Sequence, residues 1–502
     1  MSRGAAILAG LRGGRARWLT AVVFLVLAGW YLAFAVERYD SSHLYGDEPE
    51  YFFTGQSVWD DGDLDLRNQF EHPDLHAFPG PLTFKIDPAG GPAPANFLPT
   101  DGVLLVQPAN AVGGLLAVYL LFAAMNLASL LLLFVVLRRT FPEAVAALTI
   151  GIVGLSVPLA WHAASLWTEV PALLCVSAVL ALAPRIGCSA RAATGVALLL
   201  ATLPWLHQKY FTLALGVSVA VLLPVARRRL WPLVLAAPWV GLATTIGFSL
   251  ALRDRWNFTI SGTTADVSTA FNGSLNRFLR QPIAWFFDAT RGSLPLAPVW
   301  ILAGVGLLFL LRFARGRRML VMMLVAFAPF FLVYFWGPFL AGDSPPGRET
   351  LPAIPALALL MAAGIHALRG VLATVIAVVL AAISIGLATI APFKYGFDIM
   401  FNNVGRPKLL DAVASSRFTP ADLWPQMTAT PGAWSFSTLT MTGVATLALV
   451  GLIYQASRAR AATGRRWTLA GAPESRPTLA GAWRAVTAAL PRRARRRGGA
   501  GA

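Results

Sequence analysis

Long apolar stretches recur through most of the chain and constrain its fold more than any other feature of the sequence. A bilayer core is crossed by roughly 20 apolar residues in a helix. About twelve stretches approach this length, near residues 18–36, 113–137, 143–161, 165–183, 192–206, 210–226, 230–252, 294–311, 319–337, 351–367, 370–391 and 436–455. The short stretch 192–206 could form one broken pair with 210–226 around Pro204, so we predict an all-α polytopic membrane protein with eleven to thirteen transmembrane helices.

The composition supports this fold class and excludes several others. Hydrophobic residues make up 56% of the 502 residues, charged residues only 13%, and the mean hydropathy is +0.62. Because a soluble protein could not bury so much apolar surface, the excess must face lipid. A cytosolic enzyme, a secreted domain and a disordered protein are therefore excluded. Cys175 lies in an apolar stretch and Cys188 in a short basic loop, which offers neither a disulfide framework nor a cysteine metal site.

The net charge of +17 is distributed unevenly along the chain. With the N-terminus in the cytoplasm, the arginine clusters fall on the cytoplasmic side and nearly all acidic residues on the other side, as the positive-inside rule requires. We expect a cytoplasmic N-terminus at 1–17, a transmembrane domain at 18–455 and a basic cytoplasmic tail at 456–502. The positive charge orients the protein and contacts anionic membrane lipids, and it gives no support to nucleic-acid binding.

The first apolar stretch also has features of a signal peptide. It follows a basic start and ends in the small-residue pattern Ala33-Phe34-Ala35. Its length favours an uncleaved first span, and the residues that follow are exported in either case. Because arginine far outnumbers lysine, as in GC-rich bacteria, we predict a multi-pass protein of the bacterial inner (plasma) membrane.

Three longer segments face the outside in this topology: 37–112, 253–293 and 392–435. The first is the most acidic and begins with HLYGDEPEY at 43–51. Pro49 suits the first turn of a helix. The residues after it form an apolar stripe that predicts an interfacial amphipathic helix: Phe52, Phe53 and Val58. Asp47 and Glu48 would lie at the start of this helix, where helix capping is the structural alternative to a catalytic role.

The sequence GDEPEY at 46–51 resembles the first external loop of bacterial GT-C membrane glycosyltransferases, in the branch related to protein O-mannosyltransferases and lipid A aminoarabinose transferases. Further similar stretches follow in order on the outer side. They are WTEVP at 167–171, PWLHQKY at 204–210, the segment 287–298, and GRETLP at 347–352. The resemblance covers roughly residues 40–355.

This resemblance implies an inverting glycosyltransferase, with its active site facing outside, that uses a polyprenyl-phosphate sugar as donor. The acceptor would be an extracytoplasmic glycan, lipid or protein. Transfer needs a base for the acceptor hydroxyl, and a carboxylate that stabilises oxocarbenium character. Asp47 is the candidate base, and Glu48 would position the acceptor. Asp47 and Glu48 could also hold a divalent cation such as Mg²⁺ or Mn²⁺, and whether one is needed stays open.

The leaving phosphate needs positive charge, and three residues are candidates to supply it. Lys209 interrupts an apolar region at the outer ends of two spans, where snorkelling to the interface is the alternative. Arg348 lies in a tight loop before a span, where pairing with Glu349 is the alternative. Arg291 is the third candidate.

Three further residues are candidates for substrate binding. Glu169 enters a span at its outer end, where it would contact sugar or acceptor or pair with Lys209. His207 could hydrogen-bond a phosphate or sugar, and an interfacial histidine with protein partners is the alternative. Tyr51 belongs to the first-loop motif.

Two metal-binding patterns in the first loop fail on spacing. The carboxylates of Asp61, Asp63 and Asp65 begin like an EF-hand, but position six is then Leu66 and position twelve is His72. Starting at Asp60 puts Glu71 at position twelve but Gly62 at position three. His72 and His76 have a zincin-like spacing without the glutamate. A secondary transporter, a lipid-linked glycan polymerase, ligase or flippase, and a purely structural membrane protein remain as alternative functions.

Overall fold

The structure is a computed structural model that describes residues 3–41, 44, 48–62, 102–225, 230–253, 282–290, 292–336, 345–396, 400, 408–412, 414, 424–425 and 436–462. All regular secondary structure within these ranges is helical. The main helices are α1 (Arg3–Ser41), α2 (Glu48–Asp60), α3 (Gln107–Leu137), α4 (Glu143–Gly154), α5 (Glu169–Leu182), α6 (Ala190–Leu206), α7 (Tyr210–Leu222), α8 (Trp231–Arg253), α9 (Ile301–Leu311), α10 (Ala314–Trp336), α11 (Ile354–Ala367), α12 (Val371–Tyr395), α13 (Lys408–Ala412) and α14 (Phe436–Ala462).

Each of the twelve apolar stretches overlaps one of these helices. Among the described residues, six segments are long and apolar enough to cross a membrane: Gly14–Asp40, Leu104–Leu137, Trp231–Phe248, Ala314–Val333, Arg348–Ala367 and Val371–Tyr395. Four others are apolar but shorter: Glu143–Gly154, Ala190–Leu206, Tyr210–Leu222 and Pro298–Leu311. The helical fold class is confirmed and the long helices are compatible with a membrane protein, whereas the count of about twelve spans stays a prediction.

Helix α12 shows why these helices suit lipid. One face buries small side chains: Ala373, Ala377, Ser384, Ala388 and Ala391. The other face exposes large apolar side chains: Val371, Leu372, Val375, Val378, Val379, Ile383 and Ile390. Small residues inside allow close helix packing, and the exposed branched side chains would be unfavourable in water. This inside-out pattern is typical of a membrane helix.

The predicted span 143–161 is wrong in its second half. Helix α4 ends at Gly154, after 12 residues or about 18 Å, and a buried connection of residues 155–168 follows with only a short 3-10 turn, Leu159–His162. Pro158 lacks an N–H and cannot continue the helix. The next helix, α5, then begins at Glu169 rather than at 165. The apolar composition indicated burial here but did not reveal the break.

The interruption between helices α6 and α7 lies at residues 207–209, beyond Pro204. Pro204 lies inside the last turn of α6, and His207 adopts extended backbone angles (φ −166°, ψ 140°) that end the helix. Helix α7 starts at Tyr210 with Lys209 as its N-cap residue. The predicted broken pair is therefore two separate helices, and Lys209 lies in the turn between them.

The first-loop helix is confirmed as α2, although it is more deeply buried than an interfacial helix would be. Tyr51, Phe52 and Phe53 are all buried in the core of the protein, whereas Val58 is only half-buried. The Gln107 amide donates to the Phe52 carbonyl at 2.8 Å, which ties α2 to the start of α3. The beginning of α2 is therefore fixed against the helical core.

Candidate functional site

The connection 155–168 is a buried, non-helical segment that is held from three sides. The indole N–H of Trp300 donates to the Val157 carbonyl at 2.8 Å, and the indole of Trp161 donates to a carbonyl of α12 at 3.0 Å. From α3, the Asn126 amide donates to a carbonyl of the connection at 2.7 Å. Because its backbone groups are paired with neighbouring helices, the connection can carry polar side chains into the interior.

Three charged side chains meet where this connection enters α5, and we call them the charged cluster: Glu169, Lys209 and Arg348. The Lys209 Nζ atom lies 2.6 Å from the Glu169 Oε1 atom, and the Arg348 Nε atom lies 3.1 Å from the same oxygen. The side chains of Glu169, Lys209 and Arg348 are 1%, 6% and 13% exposed. Two cations thus converge on one buried carboxylate oxygen.

The turn at 207–209 sets the position of Lys209. The His207 Nδ1 atom accepts a hydrogen bond from the backbone N–H of Lys209 at 3.1 Å, so the turn is closed by a side chain two residues earlier. Burial lowers the pKa of the Lys209 ammonium, the Glu169 carboxylate opposes this effect, and Arg348 adds to the lowering. The charge on Lys209 therefore depends on Glu169.

A glycine sets the position of Arg348. Gly347 has a φ of +74°, in the left-handed region that favours glycine. A Cβ atom at this position would lie 2.9 Å from the Ser293 Oγ atom and 3.0 Å from the Pro158 Cβ atom. Both the backbone angle and the close packing thus require glycine. The 3-10 turn Arg348–Ala353 follows and directs Arg348 to Glu169.

Aromatic side chains surround the charged cluster. The guanidinium carbon of Arg348 lies 3.5 Å from the centroid of the Trp167 ring, and the Lys209 Nζ atom lies 5.1 Å from that of Tyr210. The Tyr210 hydroxyl lies 3.1 Å from the Thr168 hydroxyl. These rings stabilise cations by their π faces while excluding water, which strengthens electrostatic interactions with a ligand.

A second buried ion pair lies nearby, between Arg38 at the end of α1 and Glu48 at the start of α2. Both side chains are fully buried. The Arg38 guanidinium also donates to the Ser165 hydroxyl at 3.2 Å, and the other Glu48 oxygen accepts from the Leu166 backbone N–H at 2.9 Å. The pair therefore fastens the first loop to the connection, three residues before Glu169.

The predicted site residues have different outcomes. Glu169, Lys209 and Arg348 are brought together as the charged cluster. Pairing of Glu169 with Lys209, one of the sequence-based alternatives, is confirmed, and the snorkelling interpretation of Lys209 is wrong because its ammonium is buried against that carboxylate. Arg348 contacts Glu169, and its alternative pairing with Glu349 stays a prediction.

His207 is half-buried and hydrogen-bonded to the backbone, as its structural alternative predicted. Tyr51 is buried in α2. Glu48 binds Arg38 and Leu166 with its two oxygens, which supports an anchoring role. Asp47 and Arg291 lie outside the described residues, so their roles stay predictions.

Sequence reasoning did not find Arg38, His162 or Asp288. Arg38 was only one basic residue in an acidic loop, and His162 lies in what reads as the end of a span. Asp288, although part of a motif, was not singled out. Its Oδ1 atom accepts from the Thr290 N–H at 2.8 Å, which shapes a buried turn. The available signal for all three is a polar residue beside a predicted span.

Within the described ranges, no group of three or more His, Cys, Asp or Glu side chains is arranged to hold a metal ion. Asp47 and Glu48 are the expected ligands of a divalent cation, and this expectation stays a prediction because Asp47 lies outside the described residues. Comparison of the chain with protein-family models, with curated protein sequences and with solved structures gives no match. The fold and the site together define an all-helical protein, compatible with a membrane, that buries a charged cluster at the ends of its helices.

Proposed function

We propose that this protein is an inverting membrane glycosyltransferase that moves a sugar from a polyprenyl phosphate to an extracytoplasmic acceptor. The observation that carries the proposal is the charged cluster, in which Lys209 and Arg348 converge on Glu169. A glycosyl phosphodiester carries one negative charge, and the departing polyprenyl phosphate carries a second. Fixed cations that meet this developing charge lower the barrier for transfer.

The place of the charges in the fold favours transfer over transport. Glu169 begins α5, Lys209 precedes α7 and Arg348 follows a loop, so all three lie at helix ends. A lipid-linked donor keeps its tail in the bilayer, and its phosphate would be met at such ends. Transporters instead place ionisable groups near the bilayer midplane, within discontinuous helices.

Glu169 would hold the two cations in position while the site is empty. When a phosphate enters, Lys209 and Arg348 can contact its oxygens without large rearrangement, because Trp167 and Tyr210 already hold the cations. Preorganisation of this kind reduces the reorganisation needed at the moment of reaction.

Asp47 is the proposed base for the acceptor hydroxyl. It directly precedes Glu48 in the chain, and Glu48 is fastened to the connection that leads to Glu169. The Arg38–Glu48 pair would in this way bring the base and the cations to one site. Because Glu48 binds Arg38 and Leu166, we assign it an anchoring role beside Asp47.

The proposal is tested by the release of free polyprenyl phosphate from purified protein. The assay offers a panel of polyprenyl-phosphate sugars together with an envelope extract as acceptor. We expect release by the wild-type protein and a loss of at least about 100-fold for Asp47→Asn, the scale of general-base catalysis. Asp60→Asn is the matched control, because Asp60 is an exposed carboxylate at the end of α2.

Lys209→Ala separates donor binding from acceptor use. It should raise the apparent KM for the donor more than that for the acceptor, while Arg348 still compensates Glu169. Equal activity of Asp47→Asn and wild type would remove Asp47 from the mechanism. Release only from polyprenyl-diphosphate donors would indicate a polymerase, and vectorial movement in proteoliposomes without release would indicate transport.

A further inference from the structure

A hydrogen bond within the connection fixes the tautomer of the His162 ring. It ends the 3-10 turn Leu159–His162 and is fully buried. Its Nδ1 atom lies 2.8 Å from the Pro158 carbonyl oxygen. Because a carbonyl oxygen can only accept a hydrogen bond, Nδ1 must carry the proton, and in a neutral ring the Nε2 atom is then an acceptor.

The surroundings of His162 keep the ring neutral. Burial is the largest effect and lowers its pKa to about 4, against the raising effects of the Pro158 carbonyl and the Glu169 carboxylate. Arg348 and Arg38 lower it further. The ring therefore lies within electrostatic reach of both the charged cluster and the Arg38–Glu48 pair.

The Nε2 atom of His162 is buried and has no hydrogen-bond partner among the described residues. Buried polar side chains in folded proteins are nearly always hydrogen-bonded. The Nε1 atom of Trp167, five residues further along, is a second buried polar atom without such a partner, and Arg348 lies over the ring of this tryptophan. In the described part of the chain, the connection therefore presents an unsatisfied acceptor at His162 and an unsatisfied donor at Trp167, and the buried Ser156 hydroxyl is a third such group.

The chemistry of these two ring nitrogens identifies what would satisfy them. An ionised phosphate has only acceptor oxygens and cannot bond to the neutral Nε2 atom of His162. A sugar hydroxyl can both donate and accept, so hydroxyl groups suit His162 and Trp167 together. In the proposed reaction the sugar is bonded directly to the phosphate at Lys209 and Arg348, which places its hydroxyls next to that phosphate.

We propose that the Nε2 atom of His162 accepts a hydrogen bond from one hydroxyl of the transferred sugar and thereby contributes to sugar specificity. This inference rests on the proposed function and extends it to the sugar. Lys209 and Arg348 bind the phosphate, and His162, with Trp167, binds the ring attached to it. His162 is in this account a binding residue for the donor and takes no part in proton transfer.

A set of deoxy donors tests the proposal. Each hydroxyl of the productive sugar is replaced by hydrogen in turn, and kcat/KM is measured for wild type and His162→Phe. We expect His162→Phe to lose about 10- to 100-fold with the intact sugar, as expected for an unpaired buried polar group. Wild type should lose a similar factor with one deoxy donor only, and that donor should be used equally by both proteins.

The control and the second variant make the result specific. Ser177→Ala removes a different buried polar group, a hydroxyl without a described partner, eight residues into α5 and about 12 Å along the helix from Glu169. It should leave kcat/KM unchanged for every donor. His162→Gln keeps an acceptor oxygen, and it should retain part of the preference for the intact sugar even if His162→Phe folds poorly.

The failures of the two proposals are distinguishable. Turnover by wild type, with the same fractional loss for every deoxy donor in His162→Phe, would overturn the assignment of His162 alone. Equal use of all deoxy donors by wild type would overturn it as well, without any variant. No release from any donor would overturn the proposed function and the sugar assignment with it.

Discussion

Charged side chains at the two ends of the helices lie in opposite environments. At one end, the described residues include five that are buried or nearly so and ion-paired: Arg38, Glu48, Glu169, Lys209 and Arg348. At the other end, arginines are exposed: Arg139, Arg185, Arg312, Arg315, Arg317 and Arg318. Helix α5 connects the two, with Glu169 at its start and Arg185 just beyond its end.

The difference teaches which charges the fold depends on. An exposed arginine keeps its hydration and contributes little to stability, as Arg139 does when it donates to two carbonyls at the end of α5. A buried charge is tolerated only with a partner, because without one no favourable interaction offsets the free energy lost when the charge is removed from water. The five buried charges therefore depend on their partners for stability, whereas the solvated arginines at the other end do not.

The largest effect is expected from Glu169→Gln, which would leave Lys209 and Arg348 without their shared carboxylate. Breaking a buried ion pair costs about 3–5 kcal/mol, and Lys209 would partly escape this cost by losing its proton. The free energy of unfolding in detergent measures the effect. Glu143→Gln, a half-buried carboxylate at the start of α4, is the control and should lose less than about 1 kcal/mol. Equal losses for both variants would contradict the comparison of the two ends.

Arg38→Met should be the next most damaging change. It removes the Arg38 guanidinium from the buried Glu48 carboxylate and releases Ser165, at a cost of about 3 kcal/mol. Arg38→Lys should recover part of the stability, and in the transfer assay it should recover kcat more than KM. Arg139→Met at the other end should cost about 1 kcal/mol or less. Full stability of Arg38→Met would show that the first loop is held by other contacts.

Acid should weaken the site through His162. Burial lowers the pKa of His162 from 6.5 in the unfolded chain to about 4 in the folded protein, so between these values the unfolded chain binds more protons. Stability should therefore fall as the pH is lowered from 6.5 to 4, by up to about 3 kcal/mol. The unfolding midpoint should depend less on pH across this range in His162→Phe than in the wild-type protein. An unchanged slope in that variant would assign the acid sensitivity to other groups.

The smallest effects should come from the exposed end. Arg318→Ala and Arg185→Ala remove solvated charges and should change the free energy of unfolding by no more than about 0.5 kcal/mol. Transfer activity in detergent should also be unchanged. A loss above about 1 kcal/mol in either variant would show that the exposed arginines make interactions that stabilise the fold.

The helical part of the fold could be predicted because apolar stretches report it directly. Each predicted stretch overlaps a helix, and the first-loop helix begins beside Pro49 as expected. The connection 155–168 could not be predicted, since its residues are as apolar and as buried as those of a helix. An apolar composition predicts that a segment is buried. The path of its backbone depends instead on hydrogen-bond partners from distant helices, such as Trp300 and Asn126.

The site was predictable only in part. Glu169 and Lys209 are unusual within apolar surroundings, so their pairing could be offered as one alternative, but the sequence could not decide for it because they meet across 40 residues of chain. Arg38 reaches Ser165 across 127 residues, and no local pattern indicates that contact. His162 was missed because its significance lies in an unpaired ring nitrogen, a property of the folded environment.

The sequence by itself determined an all-helical chain rich in membrane-length segments, because hydropathy and helix length are local properties of the residues. It also determined which charged residues interrupt those segments. Only the tertiary structure decided that Glu169, Lys209 and Arg348 form one cluster, that Arg38 and Glu48 fasten the first loop to the connection, and that His162 keeps an open acceptor. Contacts of this kind are selected by packing and by the cost of burying unpaired charge, and neither acts until distant segments come together.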